Sequence, residues 1–339
     1  MRRKDIIIGV AIFGAFVITV FFLVTWSHGI SIGVTNSSNG NGDQKKASSI
    51  AGLNCDNAGR RPIAVMLESD PEGRPLAGIG QADIVVEMPV TPDGITRFMA
   101  VYQCQDPKEI GAIRSARQDF IPLADGFEAI YAHWGGEHGA LAELDSHVMD
   151  NINGLQFDGT VFYRKPNIAP PHNGFSNLDL LTEQAKKFNY GLTDVFAGYP
   201  HTTDHPIRNL SNIADTISVD YPSPNNVTWT YDPLNNVYLR NRGGTAEIDK
   251  NTNRQVSASV IAVMNTTDHI LTKGDQYIVV STTGQGSAEI YQDGIGVQGT
   301  WKKDPLKLDA KLYFYDSAGK EIQFTPGQIW VEVNPTWKQ

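Results

Sequence analysis

The chain has 339 residues, 41% of them hydrophobic, with 28 lysines and arginines against 37 aspartates and glutamates for a formal net charge of −9. That length and apolar content suffice for two ordinary globular domains and exclude a wholly disordered chain. Beyond the tip Arg2, Arg3, Lys4 and Asp5 the remainder holds 25 basic and 36 acidic residues, which argues against nucleic acid or a bare anionic lipid surface as a partner.

In chain order, residues 1–5 read as a cytoplasmic tip, and Ile6 to Trp26 is a run of 21 residues without a charge. As a helix this run is long enough to cross a bilayer. Basic residues before it and none just after it orient the N-terminus to the cytoplasm and the rest outside. The run exceeds the ~7–15 apolar residues of a signal peptide and no A-x-A site follows, so the expectation is an uncleaved single-pass anchor in the cell membrane. Residues 27–54, rich in Gly, Ser and Asn, read as a flexible linker.

From 55 to 206 the pattern alternates strand and helix, predicting a mixed α/β extracytoplasmic domain. RPIAVMLE is a buried strand, SDPEGRPLAGIG a loop, and ADIVVEMPV an extended or short helical element. The stretch TRFMAVYQCQDPKEIGAIRSAR then places Arg97 at the mouth of a strand, and Arg114 and Arg117 where the chain turns into a helix. Guanidiniums match carboxylates and phosphates, so these three either form an anion site or pair with Asp83, Glu87 or Asp119. EAIYAHW is a strand ending at His133, and Glu137 to Val148 has helical spacing. Cys55 and Cys104 are the only cysteines; on neighbouring strands they would form a bridge closing about 50 residues and adding ~2–4 kcal/mol, the alternative being two buried thiols. From 211 to 335, short alternating runs separated by Asn, Gly, Asp and Pro predict a β-rich C-terminal domain. The fold class expected is therefore α+β: a transmembrane helix, an α/β domain and a β domain.

The stretches RPIAVMLESDPEGRPLAGIGQADIVVE, GITRFMAVYQ, IGAIRSAR, FYR at 162–164 and APPHN at 169–173 resemble the YerB-like lipoprotein family, as do YDPLNNVYLR, SVIAVMN, GSAEIYQDG and PGQIWVEVNP further on. The resemblance implies a bacterial, two-domain extracytoplasmic protein of a family without an assigned function. Two departures stand out. Family members carry a lipid-anchoring cysteine directly after the apolar segment, whereas Trp26, Ser27 and His28 follow here, so the helix itself is the expected anchor. Ala112 replaces a proline usual in IGAIRSAR. A local plan of strand, DPK turn and arginine-ending strand is also similar to the LytR-CpsA-Psr glycopolymer ligases, where arginines hold a pyrophosphate; the order of the chain differs.

The candidate ligand pocket comprises Arg97, Arg114 and Arg117, with Glu87, His133, Arg164 and His172 as further members. No metal site is expected, because the two histidines of HWGGEH are five apart and do not share a helix face as a zinc-protease pair does. No cofactor is expected either. Ser115 lacks the glycines of a nucleophile elbow, leaving no nucleophile–base pair. Trp229, Tyr231, Tyr238, Trp301 and Trp330 read as core in preference to a saccharide groove. Three functions follow: binding of a cell-envelope anion or envelope protein, turnover of a phosphate-bearing cell-wall precursor, or a scaffold without a ligand.

Overall fold

The computed structural model describes residues 46–203, 216–271 and 277–335. Among these residues no helix is long and apolar enough to cross a membrane; the expected spanning segment, Ile6 to Trp26, lies outside them. So do residues 27–45 of the expected linker. Residues 46–54 are not a tether: Ile50 and Ala51 are fully buried, and Ala47 bridges Asn54. Two apolar side chains with core to enter outweigh the loop-like composition around them.

The architecture is α+β and strand-rich. Ten strands form one sheet in the order Tyr313–Asp316, Ile295–Lys303, Gly284–Gln292, Val260–Thr266, Ile329–Pro335, Ile84–Pro89, Thr96–Tyr102, Ile63–Glu68, Ile130–His133 and Asn151–Asn153. We call Ile63–Glu68 β1, Ile84–Pro89 β2 and Thr96–Tyr102 β3. The expected α/β and β-rich stretches thus meet inside one sheet, where β2 pairs in parallel with Ile329–Pro335, and the described residues form one compact unit.

Every residue of β1, β2 and β3 is buried, as expected for strands covered on both faces. The pleat sends alternate side chains to opposite faces. Ala64, Met66, Val86, Met88, Met99 and Val101 pack with Phe120, Leu123, Phe127 and Leu144, from around the helices Ile121–Asp125 and His138–Asp145. Val65, Leu67, Val85, Phe98, Ala100 and Trp330 pack instead with the helix Leu178–Lys187 and with a smaller sheet built on Thr216–Val219, Val227–Asp232 and Val237–Arg242.

The helix expected after Arg114 and Arg117 is short: it opens as a 3-10 turn at Gln118–Phe120, with Arg117 as an uncapped N-cap, and continues over Ile121–Asp125. Glu137 does cap, accepting from the Ala140 N–H at 2.9 Å. The hairpin Gly284–Gln292 to Ile295–Lys303 turns through Asp293 (φ 54°) and Gly294 (φ 76°), the left-handed pair that a two-residue turn requires. Trp229, Trp301, Trp330, Tyr231 and Tyr238 are all core residues. Cys55 and Cys104 are bridged across 49 residues with their Cα atoms 5.8 Å apart.

Candidate functional site

The first strand ends in a charge. Glu68 is the register partner of Arg97 across β1 and β3, and both side chains lie on the face that carries Met66 and Met99. Past β1 the chain turns through Ser69 and Asp70 into the 3-10 turn Pro71–Gly73. A Cβ on Gly73 would stand 1.7 Å from Glu68 Oε1, so only glycine lets this turn close over the carboxylate. Arg114 is delivered beside it because its N–H donates to the Met66 carbonyl at 2.9 Å, while Glu68 N donates to Ala112 O at 3.1 Å. The Gly111–Ala112 peptide in this segment is cis.

These elements bring five ionisable groups together. Arg97 Nη1 lies 3.3 Å and Arg114 Nη2 3.1 Å from the same oxygen, Asp70 Oδ2. Arg114 Nε lies 3.1 Å from Glu68 Oε2, and His172 Nδ1 meets that oxygen at 2.7 Å. Burial pushes the Glu68 carboxyl up from its ordinary range, against the pull of His172 and Arg114. Burial acts on Asp70 in the same direction, but Arg97 and Arg114 more than reverse it and hold that carboxyl low. Arg97 is brought down to about 10 by burial and by the charges of Arg114 and Arg117, with Asp70 opposing.

Arg117 completes the positive end of this region. Its guanidinium lies over the Tyr277 ring, 4.4 Å from the centroid. The Nε atoms of Arg97 and Arg117 are buried without a hydrogen-bond partner among the described residues. Arg97 and Arg114 thus face the two carboxylates Glu68 and Asp70, while Arg117, whose charge also acts on Arg97, draws on the buried Asp119 carboxyl. Oxygen atoms of Glu68 and Asp70 and a His172 ring nitrogen lie within 4.8 Å of one another, as metal ligands would. Two guanidiniums already neutralise those carboxylates, so the set suits an anion better than a dication.

Three expected members lie elsewhere. Glu87 projects to the opposite face of the sheet from Arg97: its register partner on β3 is Phe98, and Arg97 pairs with Met88. There Glu87 is fully buried against Arg240 and Arg242. His133 is interior, with Nδ1 2.7 Å from Gly135 O and Nε2 3.4 Å from Asn151 Oδ1; burial lowers its pKa. Arg164 is at the surface, 2.8 Å from Asp158 and stacked over Trp134. Of the carboxylates expected of the arginines, only Asp119 feels one of them, the Arg117 charge that opposes the effect of its burial. Asp83 accepts from the backbone N–H groups of Gln103 and Cys104 at 2.7 and 2.9 Å, and Asp119 accepts from Val280 N at 3.0 Å. Glu68 and Asp70, which sequence reading left out, had one signal: two acids directly after an uninterrupted apolar strand.

The second cluster, also missed, is internal. Arg240 donates Nε to Glu247 at 2.6 Å, Nη1 to Glu332 and Nη2 to Glu87. Glu332 further accepts from Trp229 Nε1 at 2.8 Å and from the Tyr221 hydroxyl at 3.1 Å. Glu87 and Glu332 are register partners on adjacent parallel strands, a like-charge pair that needs the two arginines between the sheets. Burial pushes Glu332 up to about 7, with Glu87 adding to it and Arg240 opposing.

Comparison with known proteins gives consistent matches. Residues 50–191 match the N-terminal domain, and residues 217–331 the C-terminal domain, of the family described as protein of unknown function DUF3048. The chain is 32% identical over 281 residues to "Putative lipoprotein YerB" of Bacillus subtilis (strain 168), covering 81% of this chain and 82% of that protein. The crystal structure of YerB from Bacillus subtilis superposes with a TM-score of 0.78 at 30% identity, over 86% of this chain and 98% of that one. With both domain models matched in order and a relative aligned over four-fifths of its length, the chain belongs to the DUF3048, or YerB-like, family.

Proposed function

We propose that this is a membrane-anchored extracytoplasmic protein that binds a phosphate-bearing cell-envelope ligand at the Arg97–Arg114–Arg117 cluster. The observation that carries the reading is the shared grip of Arg97 and Arg114 on one oxygen of Asp70, at 3.3 and 3.1 Å. A phosphoryl oxygen has the same demand for two charge-assisted donors, and Asp70 sits on a short loop that an incoming anion can displace. The name of the Bacillus relative, "Putative lipoprotein YerB", supports membrane anchoring outside the cytoplasm, with the uncharged segment Ile6 to Trp26 in place of a lipid here.

The test is thermal unfolding of the full chain in detergent micelles with and without inorganic pyrophosphate. A ligand that binds only the native state raises the midpoint. The expected result is a rise that is absent in Arg114→Ala. A midpoint indifferent to pyrophosphate and to longer polyprenyl pyrophosphate analogues would make the cluster a structural ion-pair network.

Turnover of such a precursor is favoured by one further feature. His172 Nδ1 is held by Glu68 at 2.7 Å, and its Nε2 makes no bond to protein among the described residues. A carboxylate-oriented imidazole with a free second nitrogen is the arrangement of a general base. Release of phosphate from a pyrophosphate substrate, lost in His172→Gln with binding retained, would identify it.

A further inference from the structure

The short hairpin of Asp268–Ile270 and Ile278–Val280 is locked onto the turn that follows Arg117. Val280 N donates to Asp119 Oδ2 at 3.0 Å, and the Thr282 hydroxyl donates to Asp119 O at 2.9 Å. Leu271 N donates to Tyr277 O at 3.2 Å, which holds these two residues together as the next pair of the hairpin. From the other family domain, the Glu137 N–H donates to Ala116 O at 3.3 Å and sets the start of the helix His138–Asp145 beside Gln118. A cavity of about 480 Å³ lies between them, its lining including Leu271 and Tyr277 from the hairpin and Gln118, Glu137, His138 and Gly139 from the first domain. That volume is within the ~300–1,000 Å³ of small-ligand sites.

The polar groups of this cavity are within reach of a ligand. Gln118, Glu137, Leu271 and Tyr277 are half-buried and His138 is exposed. Gln118 gives Nε2 to Glu143 Oε1 at 2.9 Å, and Glu137 gives Oε1 to the Ala140 N–H at 2.9 Å. Gln118 Oε1, Glu137 Oε2 and the Tyr277 hydroxyl make no bond to protein among the described residues. A Cβ on Gly139 would stand 2.5 Å from Gln118 Cδ, so the amide takes the space that any side chain at 139 would fill. Charge then narrows the ligand. The Arg117 guanidinium lies over the Tyr277 ring, 4.4 Å from its centroid, and disfavours a second cation there, while the Glu137 carboxylate disfavours an anion. A neutral molecule is left, with an apolar face for Tyr277 and Leu271 and donors for two acceptor oxygens.

We propose that this cavity binds a pyranose residue of a neutral glycan. The C–H face of the sugar lies against Tyr277 and Leu271, and its hydroxyls donate to Gln118 Oε1 and Glu137 Oε2 and accept from the Tyr277 hydroxyl. A pyranose is uncharged and joins a rigid apolar face to hydroxyls on adjacent carbons; an open-chain polyol has the hydroxyls without the face. The inference is independent of the reading of Arg97 and Arg114 as an anion site.

The experiment is saturation-transfer NMR of the full chain, in micelles of a detergent without a sugar headgroup, with cellobiose, maltose, N,N′-diacetylchitobiose and the open-chain polyol sorbitol. At least one disaccharide is expected to bind in the millimolar range, with the strongest transfer at its ring C–H protons, and sorbitol at least ~tenfold more weakly. Tyr277→Ala is expected to abolish binding, and Tyr277→Phe, which keeps the ring, to retain it. Glu137→Gln, which keeps an oxygen for the Ala140 N–H, is expected to weaken binding ~tenfold, the scale of one charge-assisted hydrogen bond. A thermal midpoint for each variant establishes that it is folded. Absence of binding by all three disaccharides at ~10 mM, sorbitol binding as well as the disaccharides, or full binding by a folded Tyr277→Ala variant would each overturn the proposal.

Discussion

Arg240 and Glu332 are 92 positions apart in sequence and bonded to each other between the two sheets, with neither side chain exposed to solvent. The same guanidinium reaches Glu87 on β2 and lies 4.4 Å from the centre of the Trp330 ring. One side chain of the C-terminal domain therefore neutralises carboxylates from both domains. Arg240→Met is expected to cost ~3–5 kcal/mol, because it leaves buried carboxylates with too few partners. Urea unfolding monitored by tryptophan fluorescence measures it; a loss below ~1 kcal/mol, the surface-pair range, would show the cluster to be dispensable.

Glu332 and Asp119 give stability a defined pH dependence. Burial pushes each carboxyl up to about 7, so between its ordinary pKa and about 7 the native state holds more protons than the unfolded state. Stability contributed by these groups therefore falls as pH rises from about 4.5 to about 7 and is level above it. His133, whose pKa burial lowers, works in the opposite sense near pH 6.5. The difference between parent and variant isolates each acid. Glu332→Gln is expected to gain relative stability on going from pH 5 to pH 8, read from thermal midpoints in a buffer series. A constant difference across that range would mean Glu332 ionises normally.

The Cys55–Cys104 bridge closes a loop with a sequence separation of 49. Removing it with Cys55→Ser and Cys104→Ser together is expected to cost ~2–4 kcal/mol, chiefly by freeing the unfolded chain. Residues 46–54 should loosen first, since Cys55 N donates to Lys46 O at 3.2 Å within that lobe. Hydrogen exchange of the Ile50 and Ala51 amides is the readout, and unchanged protection there would count against this order of opening.

Asp70 and an incoming anion compete for the same two guanidiniums. If the cluster binds phosphate, Asp70→Asn is expected to tighten inorganic pyrophosphate binding by about tenfold while lowering stability by ~1–2 kcal/mol, as the charge in its two contacts with Arg97 and Arg114 is lost. Weaker binding in Asp70→Asn would mean that Asp70 helps to form the site.

Gly73 tests how the loop closes over Glu68. A methyl there meets Glu68 Oε1 at 1.7 Å, so Gly73→Ala must displace either the turn or the carboxylate. The expected cost is ~1–3 kcal/mol, typical of overpacking, together with loss of the His172–Glu68 contact. A crystal structure of the variant reports that contact; a His172–Glu68 distance unchanged from 2.7 Å would indicate that the loop alone moves.

By itself the sequence determined the local order of this protein. The α+β class, the strands β1 and β3 and the core role of the tryptophans were legible, because each rests on the hydrophobicity and periodicity of a short stretch, and the family was legible from its motifs; β2 stayed open between an extended and a short helical element. The opposite placement of Glu87 and Arg97 was not legible, since alternation along paired strands assigns a face only once the register is known. Tertiary structure alone decided the register itself, the joining of β2 to Ile329–Pro335, and hence the choice of Glu68 and Asp70 as partners of the arginines. Composition marks 46–54 as loop, yet Ile50 and Ala51 find an apolar surface to cover. Charges pair through space according to what folding leaves within a few ångströms, and no spacing along the chain encodes that Arg240 will stand between Glu87, Glu247 and Glu332.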